Sequence, residues 1–445
     1  MHTDLAARLR GTAPRYTSYP TAPHFTADVT AEIVEGWFAA IPDGDALSLY
    51  LHVPFCDRLC WFCACHTKHT LRYEPVAEYL STLHAEIALA GKRAAGGVVR
   101  TVHFGGGSPT MLVPDDLKRL MDTLRSEFRF AEDASVSVEI DPNDIDHDRL
   151  DALAAIGLTR ASIGIQDFDP KVQQAINREQ SFGTTRAVVD GLRERGVRSV
   201  NLDLLYGLPH QTVDGVGKTI EQALTLRPDR MALFGYAHVP WFKKHQTMID
   251  EAWLPGPEER LAQFAAASEL IVEAGYVAIG LDHFALPGDS LAIAASKGSL
   301  RRNFQGYTDD DCETLIGLGP SSISRFRQGY AQNTPATPVY QQMVTKGRLP
   351  IAKGLTFSDE DRVRGWVIER LMCDYGFSAA EAFRRFGNAA RPILAEAAAL
   401  VQRGDLLARE DGFTIPRECR PFVRSIAAVF DAYLSRSSAR HSLAV

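Results

Sequence analysis

Four of the seven cysteines fall within ten residues, in Tyr50-Leu-His-Val-Pro-Phe-Cys56-Asp-Arg-Leu-Cys60-Trp-Phe62-Cys63-Ala-Cys65-His-Thr-Lys68. Cys56, Cys60 and Cys63 read C-x3-C-x2-C. Three thiolates on one short loop can grip three irons of a cubane 4Fe-4S cluster, which normally takes four. One iron then keeps an open position, as a catalytic zinc does and a structural zinc does not. An open iron can bind and reduce something. Cys60, Cys63, Cys65 and His66 could instead build a zinc knuckle. The other cysteines, Cys312, Cys373 and Cys419, are scattered.

Other chemistry-bearing residues recur at intervals. Gly105-Gly106-Gly107-Ser108 would let a backbone approach a ligand closely, though a tight turn explains the glycines as well. Glu139 and Asp203 are carboxylates among Val, Ile and Leu, where charge is costly unless paired. Their bland reading is a structural salt bridge. Gln166-Asp167 and Ala237-His238 complete the set.

These residues need elements to bring them together. Short β-rich runs are predicted at Ser48–Val53, Thr101–Phe104, Ser135–Ile140, Ala161–Ile165, Val200–Leu205 and Met231–Tyr236. Amphipathic helices are predicted between them at Pro75–Ala90, Leu117–Phe128, Gly183–Arg195 and Val213–Leu226. Six βα units imply a parallel sheet with right-handed crossovers. Periodicity alone allows an incomplete barrel, an eight-unit barrel or a doubly wound sheet. In barrels the chemistry sits at the C-terminal strand ends, and each of the polar groups above falls at or near such an end.

The cysteine loop, with Phe62 before its last ligand, resembles that of the radical S-adenosylmethionine enzymes. The added Cys65, giving C-x3-C-x2-C-x-C, is similar to the oxygen-independent coproporphyrinogen III oxidases, as is Pro14-Arg15-Tyr16-Thr17-Ser18-Tyr19-Pro20. That resemblance spans Pro14 to about Asn333. It implies an α/β fold, an incomplete (β/α)6 barrel with an N-terminal arm; the helices and hairpin predicted beyond 351 suggest a small, mostly helical, winged-helix-like C-terminal domain. The resemblance also implies a 4Fe-4S cluster on Cys56, Cys60 and Cys63 and two S-adenosylmethionine molecules. The first would meet Tyr50, Gly106, Glu139 and Ile323. The second would meet Phe62, Gly107, Ser108, Gln166, Arg178, Asp203 and Ala237. Ser108 stands where the family usually has threonine, and Pro320 where it has a smaller or β-branched residue. Tyr50 and Cys65 are the catalytic candidates, His283 a further one.

The implied reaction is anaerobic oxidative decarboxylation. A 5′-deoxyadenosyl radical takes a β-hydrogen from two propionates of coproporphyrinogen III in turn, leaving the vinyl groups of protoporphyrinogen IX in haem biosynthesis. Arg15, Lys243, Lys244, Arg301 and Arg302 are candidate cations for the carboxylates, with solvated surface charge the alternative for each. A flavodoxin or ferredoxin would be the electron donor, and a monomer is expected. A haem-binding chaperone of the same superfamily is the rival reading, but the chaperone has phenylalanine where Cys65 stands and lacks the arm. A radical methylase or cyclopropanase is a third.

Composition agrees with a multidomain globular protein: 445 residues, 45% hydrophobic and 23% charged. With 48 basic and 55 acidic residues the net charge is −7, which argues against a general nucleic-acid binder. The opening MHTDLAARLRGTAPRY has no apolar h-region, so no secretory leader is expected. No run approaches the ~20 apolar residues of a membrane span. Clustered cysteines then point to a reducing cytoplasm. The expected organisation is an arm over 1–35, a catalytic domain over 36–350 and a helical domain over 351–445. In the last, helices are predicted at Ser358–Tyr375, Ser378–Phe386, Pro392–Arg403 and Phe422–Leu434, with a hairpin at Leu406–Ile415. Residues from about 282 to Arg348 read as irregular, beyond a helix at Glu258–Glu273 and a strand at Tyr276–Leu281.

Overall fold

The computed structural model describes residues 11–434. Its main sheet begins with six parallel strands: β1 (Ala46–Val53), β2 (Val98–Gly106), β3 (Arg129–Ile140), β4 (Leu158–Gln166), β5 (Ser199–Tyr206) and β6 (Arg230–Gly235). Six more follow: β7 (Val277–Ile279), β8 (His283–Ala285), β9 (Thr314–Leu318), β10 (Ile323–Phe326), β11 (Gly329–Asn333) and β12 (Ile351–Thr356). The order is β12-β11-β10-β9-β1-β2-β3-β4-β5-β6-β8-β7. The six-unit parallel core is as predicted, and among the described residues its edges do not pair with each other. β9 adds a parallel strand beside β1, with Leu49 opposite Ile316.

Each core strand alternates. Leu47, Leu49 and Leu51, Val136 and Val138, and Ile163 and Ile165 are buried against the surrounding helices. Ser137, Glu139, Ser162, Asn201 and Asp203 point the other way, into a polar lumen of about 1080 Å³. Parallel strands usually read as continuous apolar runs. Here the concave face is polar, so the period is two. Acidic groups close the far end of the lumen: Asp310 accepts from Thr101 Oγ1 at 3.1 Å, and Asp289 from Arg230 Nε at 2.6 Å.

The predicted helices are present within a few residues, α2 (Glu74–Arg93) among them, its Val76, Tyr79, Leu80, Leu83 and Ile87 at helical spacing and buried. Before it lies α1 (Ala31–Ala39), capped by Thr30, whose side chain accepts from Ile33 N. The expected arm therefore ends in a helix, and its residues 1–10 lie outside the described residues. The stretch read as irregular holds β8 to β11. These strands are three to five residues long and broken by Gly and Pro, so local alternation does not reveal them. Non-local pairing and burial make them, as in Thr314–Leu318, which is buried throughout.

β12 is an edge strand of the main sheet, paired with β11, so the helical part begins at Ser358 rather than 351. There α3 (Asp359–Asp374) starts with a reciprocal capping box: Asp361 N donates to Ser358 Oγ and Ser358 N to Asp361 Oδ2. The predicted hairpin forms, with Gly376–Ser378 as an unpredicted third strand. The predicted helix Phe422–Leu434 does not. The segment breaks into short turns, Arg417–Phe422, Val423–Ala427 and Ala428–Phe430. It bends so that Val423, Ile426 and Phe430 share a second core with Tyr16 and Tyr19 of the arm.

Glu86 on α2 pins β9 to β11. Its carboxylate accepts from Gly319 N (2.7 Å), Asn333 Nδ2 (2.7 Å) and Tyr340 Oη (2.6 Å). Burial pushes this carboxyl up to about 7 although the three donors pull it down. The folded state therefore holds the proton longer than the unfolded chain. Stability from this group is full below pH ~4.5 and falls as pH rises to ~7, by on the order of 3 kcal/mol. Glu86→Gln should flatten that part of the profile, read as urea midpoint against pH; an unchanged slope would refute the assignment.

Candidate active site

At the C-terminal strand ends lies a cavity of about 490 Å³. Of the residues singled out in the sequence, it is lined by Cys56, Cys60, Phe62, Cys63, Cys65, Gly106, Gly107, Ser108, Glu139, Gln166, Arg178, Asp203 and Ala237, and by Arg15 of the arm. Tyr50 and Ile323 do not line it. Tyr50 stacks on His103, ring centroids 5.8 Å apart, and its hydroxyl meets His52 Nδ1 at 3.1 Å. Ile323 packs where a Cβ on Gly317 would touch its backbone.

The cysteine loop leaves β1 through Pro54 and returns at Lys68, whose N–H donates to Pro54 O. Cys56, Cys60 and Cys63 all line the cavity, as the ligands of one cubane must, whereas His66, the fourth member of a zinc knuckle, does not. His66 Nε2 is moreover within 3.0 Å of Pro335 O. Cys65 N donates to Cys63 Sγ at 3.3 Å; the Cys65 side chain as first cause, with this N–H and against burial, brings the Cys63 thiol down to about 7.

A second loop clamps the first through its carbonyls. Gln246 Nε2 donates to Phe62 O (2.8 Å), Lys243 Nζ to Cys65 O (2.8 Å), and His245 Nε2 lies 2.7 Å from Cys63 O. The sequence reading missed His245 and Gln246 and cast Lys243 as a substrate cation. Here Lys243 holds the cysteine loop and Lys244 is exposed. No local pattern marks such residues, because their partners are backbone atoms 178–184 positions away.

The glycines answer to the protein itself. A Cβ on Gly107 would fall 2.4 Å from Phe55 O, and one on Gly105 2.8 Å from Glu139 Oε1. Gly106, at φ +115°, turns its N–H to Glu139 Oε2 (3.0 Å). Enclosure would raise the Glu139 carboxyl, but the His103 hydrogen bond at 3.2 Å, the His103 charge and the Gly106 N–H together hold it below its usual range. Asp203 differs. Burial raises it, Ser162 and Asn201 hydrogen bonds oppose, and the Glu139 charge adds to the rise.

Arg178 spans the cavity wall. It donates to Asp141 Oδ2 (2.6 Å) and Gly164 O (3.0 Å), with Cys60 Sγ at 3.7 Å. Its Nε is buried and has no hydrogen-bond partner among the described residues. Gln166 sits at φ +68°, a conformation costly for a non-glycine residue and one that clusters at functional sites. An orphaned guanidinium donor and two carboxylates around a cavity beside three thiols fit an amino-acid-bearing cofactor. His283 lies elsewhere, on the lumen wall, paired with Asp282 at 2.7 Å. Arg301 and Arg302 are also outside the cavity. Arg301 meets Glu369 (3.2 Å), and Arg302 donates to the carbonyls of Arg15 and Tyr16 (3.2 Å each).

Strand ends, thiol triad and glycine turn together define a radical SAM enzyme, and residues 50–223 match the Radical SAM superfamily. An oxygen-independent coproporphyrinogen III oxidase of Paracoccus denitrificans is 51% identical over 97% of this chain and 96% of its own length. That of Escherichia coli is 38% identical, covering 96% and 94%. The solved Escherichia coli coproporphyrinogen III oxidase, described as a radical SAM enzyme, superposes with a TM-score of 0.90 over 94% of this chain and 98% of that one. The chain belongs to the oxygen-independent coproporphyrinogen III oxidase family, whose cofactors are a 4Fe-4S cluster and S-adenosylmethionine.

Alanine at Cys56, Cys60 or Cys63 should abolish the iron bound on anaerobic reconstitution, whereas Cys65→Ala should retain it. Iron and sulfide analysis with the cluster absorbance band checks this. Iron lost in Cys65→Ala but kept in Cys63→Ala would overturn the ligand set.

Proposed function

We propose that this chain converts coproporphyrinogen III to protoporphyrinogen IX by oxidative decarboxylation of two propionates, and that Arg15 anchors a substrate carboxylate. The cluster and S-adenosylmethionine, when bound, supply a 5′-deoxyadenosyl radical that abstracts hydrogen. The chain's residues do the rest. Cys56, Cys60 and Cys63 would hold the cluster. Glu139 and the Gly106 turn would receive one S-adenosylmethionine. Arg178, Gln166 and Asp203 would receive a second, the Arg178 Nε finding a partner there.

Arg15 carries the substrate reading. Its Nη2 donates to Gly235 O at 2.9 Å, and the side chain, exposed, lines the cavity. The protein packed about the cavity lowers its pKa, Asp282 opposes the fall and the charge of Arg302 adds to it. Asp282 is already paired with His283. A cation placed so, facing a cavity, is completed by an anion from outside the protein. Coproporphyrinogen brings four carboxylates. The arm then also shields the reacting centre from water and stray hydrogen donors.

Family membership sets the haem-binding chaperone aside, and Arg15 favours a carboxylate-rich substrate over that of a methylase. No helix among the described residues is long and apolar enough to cross a membrane. Seven free cysteines support a reducing cytoplasm, where a flavodoxin or ferredoxin would reduce a monomeric enzyme.

Deleting the arm would strip Tyr16 and Tyr19 from the second core, so a point change is the cleaner test. Arg15→Gln should leave iron content and uncoupled S-adenosylmethionine cleavage near wild type. It should cut protoporphyrinogen formed per 5′-deoxyadenosine at least tenfold, with Arg15→Lys restoring part. An unchanged ratio would reduce the arm to packing.

A further inference from the structure

Arg301 and Arg302, outside the catalytic cavity, belong to another. A cavity of about 350 Å³ lies where the arm, β10 and β11, and α3 meet, and it shares no lining residue with the catalytic one. Six arginines line it: Arg301, Arg302, Arg325, Arg327, Arg362 and Arg385. Only three carboxylates do, Glu313, Asp361 and Glu369.

Those carboxylates are engaged. Asp361 closes the capping box of α3. Glu369 receives Arg301 Nη1 and the Arg302 N–H, each at 3.2 Å. Glu313 lies 3.5 Å from Arg327. Several guanidiniums keep spare donors. Arg302 spends Nε and Nη2 on the arm's carbonyls, and its Nη1 is buried without a hydrogen-bond partner among the described residues. The guanidinium of Arg325, a half-buried residue on β10, feels its neighbours' charge but makes no hydrogen bond or ion pair among the described residues. Arg362 gives Nη1 to the Arg327 carbonyl. Arg327 and Arg385 are also paired from outside the cavity, with Asp45 at 2.9 Å and Glu381 at 2.7 Å. Arg302, Arg325 and Arg362 are therefore the guanidiniums left without a carboxylate partner among the described residues, an arrangement that is costly unless an anion joins them.

The remaining walls are aromatic. Tyr330, Phe357 and Trp366 line the same space. Arg362 lies over the Phe357 ring at 5.6 Å and Arg385 over Trp366 at 5.7 Å. Guanidinium forks grip carboxylates and phosphates bidentately, and ring faces accept flat π-systems. The volume is that of a small-molecule site.

We propose that this cavity is a second binding site, for a flat aromatic polyanion carrying at least two carboxylates or phosphates. A ligand here would touch Tyr16, Ser18 and Tyr19, in the same strap that presents Arg15 to the catalytic cavity. Two sources share the chemistry: a tetrapyrrole carboxylate and a nucleoside phosphate.

The test is equilibrium titration of the anaerobic holoenzyme with protoporphyrin IX, coproporphyrin III, ADP and inorganic phosphate, in wild type, Arg325→Gln and Arg362→Glu. Arg362 is exposed, so that variant should fold even if Arg325→Gln does not. We expect an aromatic probe to bind at a site beyond the catalytic one, more weakly as salt rises. Either variant should weaken it at least tenfold, with S-adenosylmethionine binding and its reductive cleavage unchanged. A porphyrin response names the tetrapyrrole source, an ADP response the nucleotide. No additional binding, binding indifferent to Arg362→Glu, or phosphate binding as tight as the aromatic probes would each overturn the proposal. Failure to convert coproporphyrinogen III would instead overturn the catalytic reading and leave this stoichiometry as it stands.

Discussion

A half-buried carboxylate that needs neighbours for its charge organises the catalytic end of the barrel. Glu139, at the end of β3, takes a proton donor from each of two points on β2, the His103 ring and the Gly106 N–H. Gly106 can offer that N–H because it adopts a positive φ. Gly105 and Gly107 must lack side chains because Glu139 and Phe55 come so close. Tyr50 stacks on the other face of the arrangement, against His103. One charge thus couples three strand ends and the root of the cysteine loop, and it leaves 40% of the Glu139 side chain open to the cavity.

The cysteine loop itself has little regular structure. Its order comes from outside, from carbonyls tied to Gln246, Lys243 and His245 and a root held by short strand-like bonds. This division is physically sensible. Sulfur ligands must be free to meet iron, so the protein grips the backbone between them. Arg178 works on the opposite wall, bridging Asp141 and Gly164 while standing near Cys60.

The parallel core was legible because its strands alternate and its helices are long and strongly periodic. The cavity-lining cysteines, Glu139, Gln166 and Asp203 were legible as polar groups at or just after strand ends, and Arg178 through its match to the family's motif. What stayed hidden has one character: it depends on partners far along the chain. β9 to β11 exist because β1 and Glu86 pair with or pin them. Phe422–Leu434 breaks into turns whose Val423, Ile426 and Phe430 pack in one core with Tyr16 and Tyr19 of the arm, contacts more than 400 positions away. Lys243, Arg301 and Arg302 looked like free cations because nothing local shows that a carbonyl or Glu369 holds them.

The arm is where these hidden contacts meet. Arg424 donates to the carbonyls of Ala13 and Pro14, and Arg302 to those of Arg15 and Tyr16. Four consecutive carbonyls are therefore fixed by two guanidiniums, one from the C-terminal part and one from the segment between β8 and β9. Arg424 lies close enough to Arg15 that burial and this like charge bring it down to about 10. Such crowding of cations is unfavourable in itself, and the protein tolerates it because the carbonyls absorb most of the donors. Arg15 itself spends Nη2 on the Gly235 carbonyl and lines the catalytic cavity. The arm is thus more than a cover laid over a finished site. Its backbone is held by residues from two distant parts of the chain, and that fixed backbone sets where the Arg15 side chain meets the cavity wall.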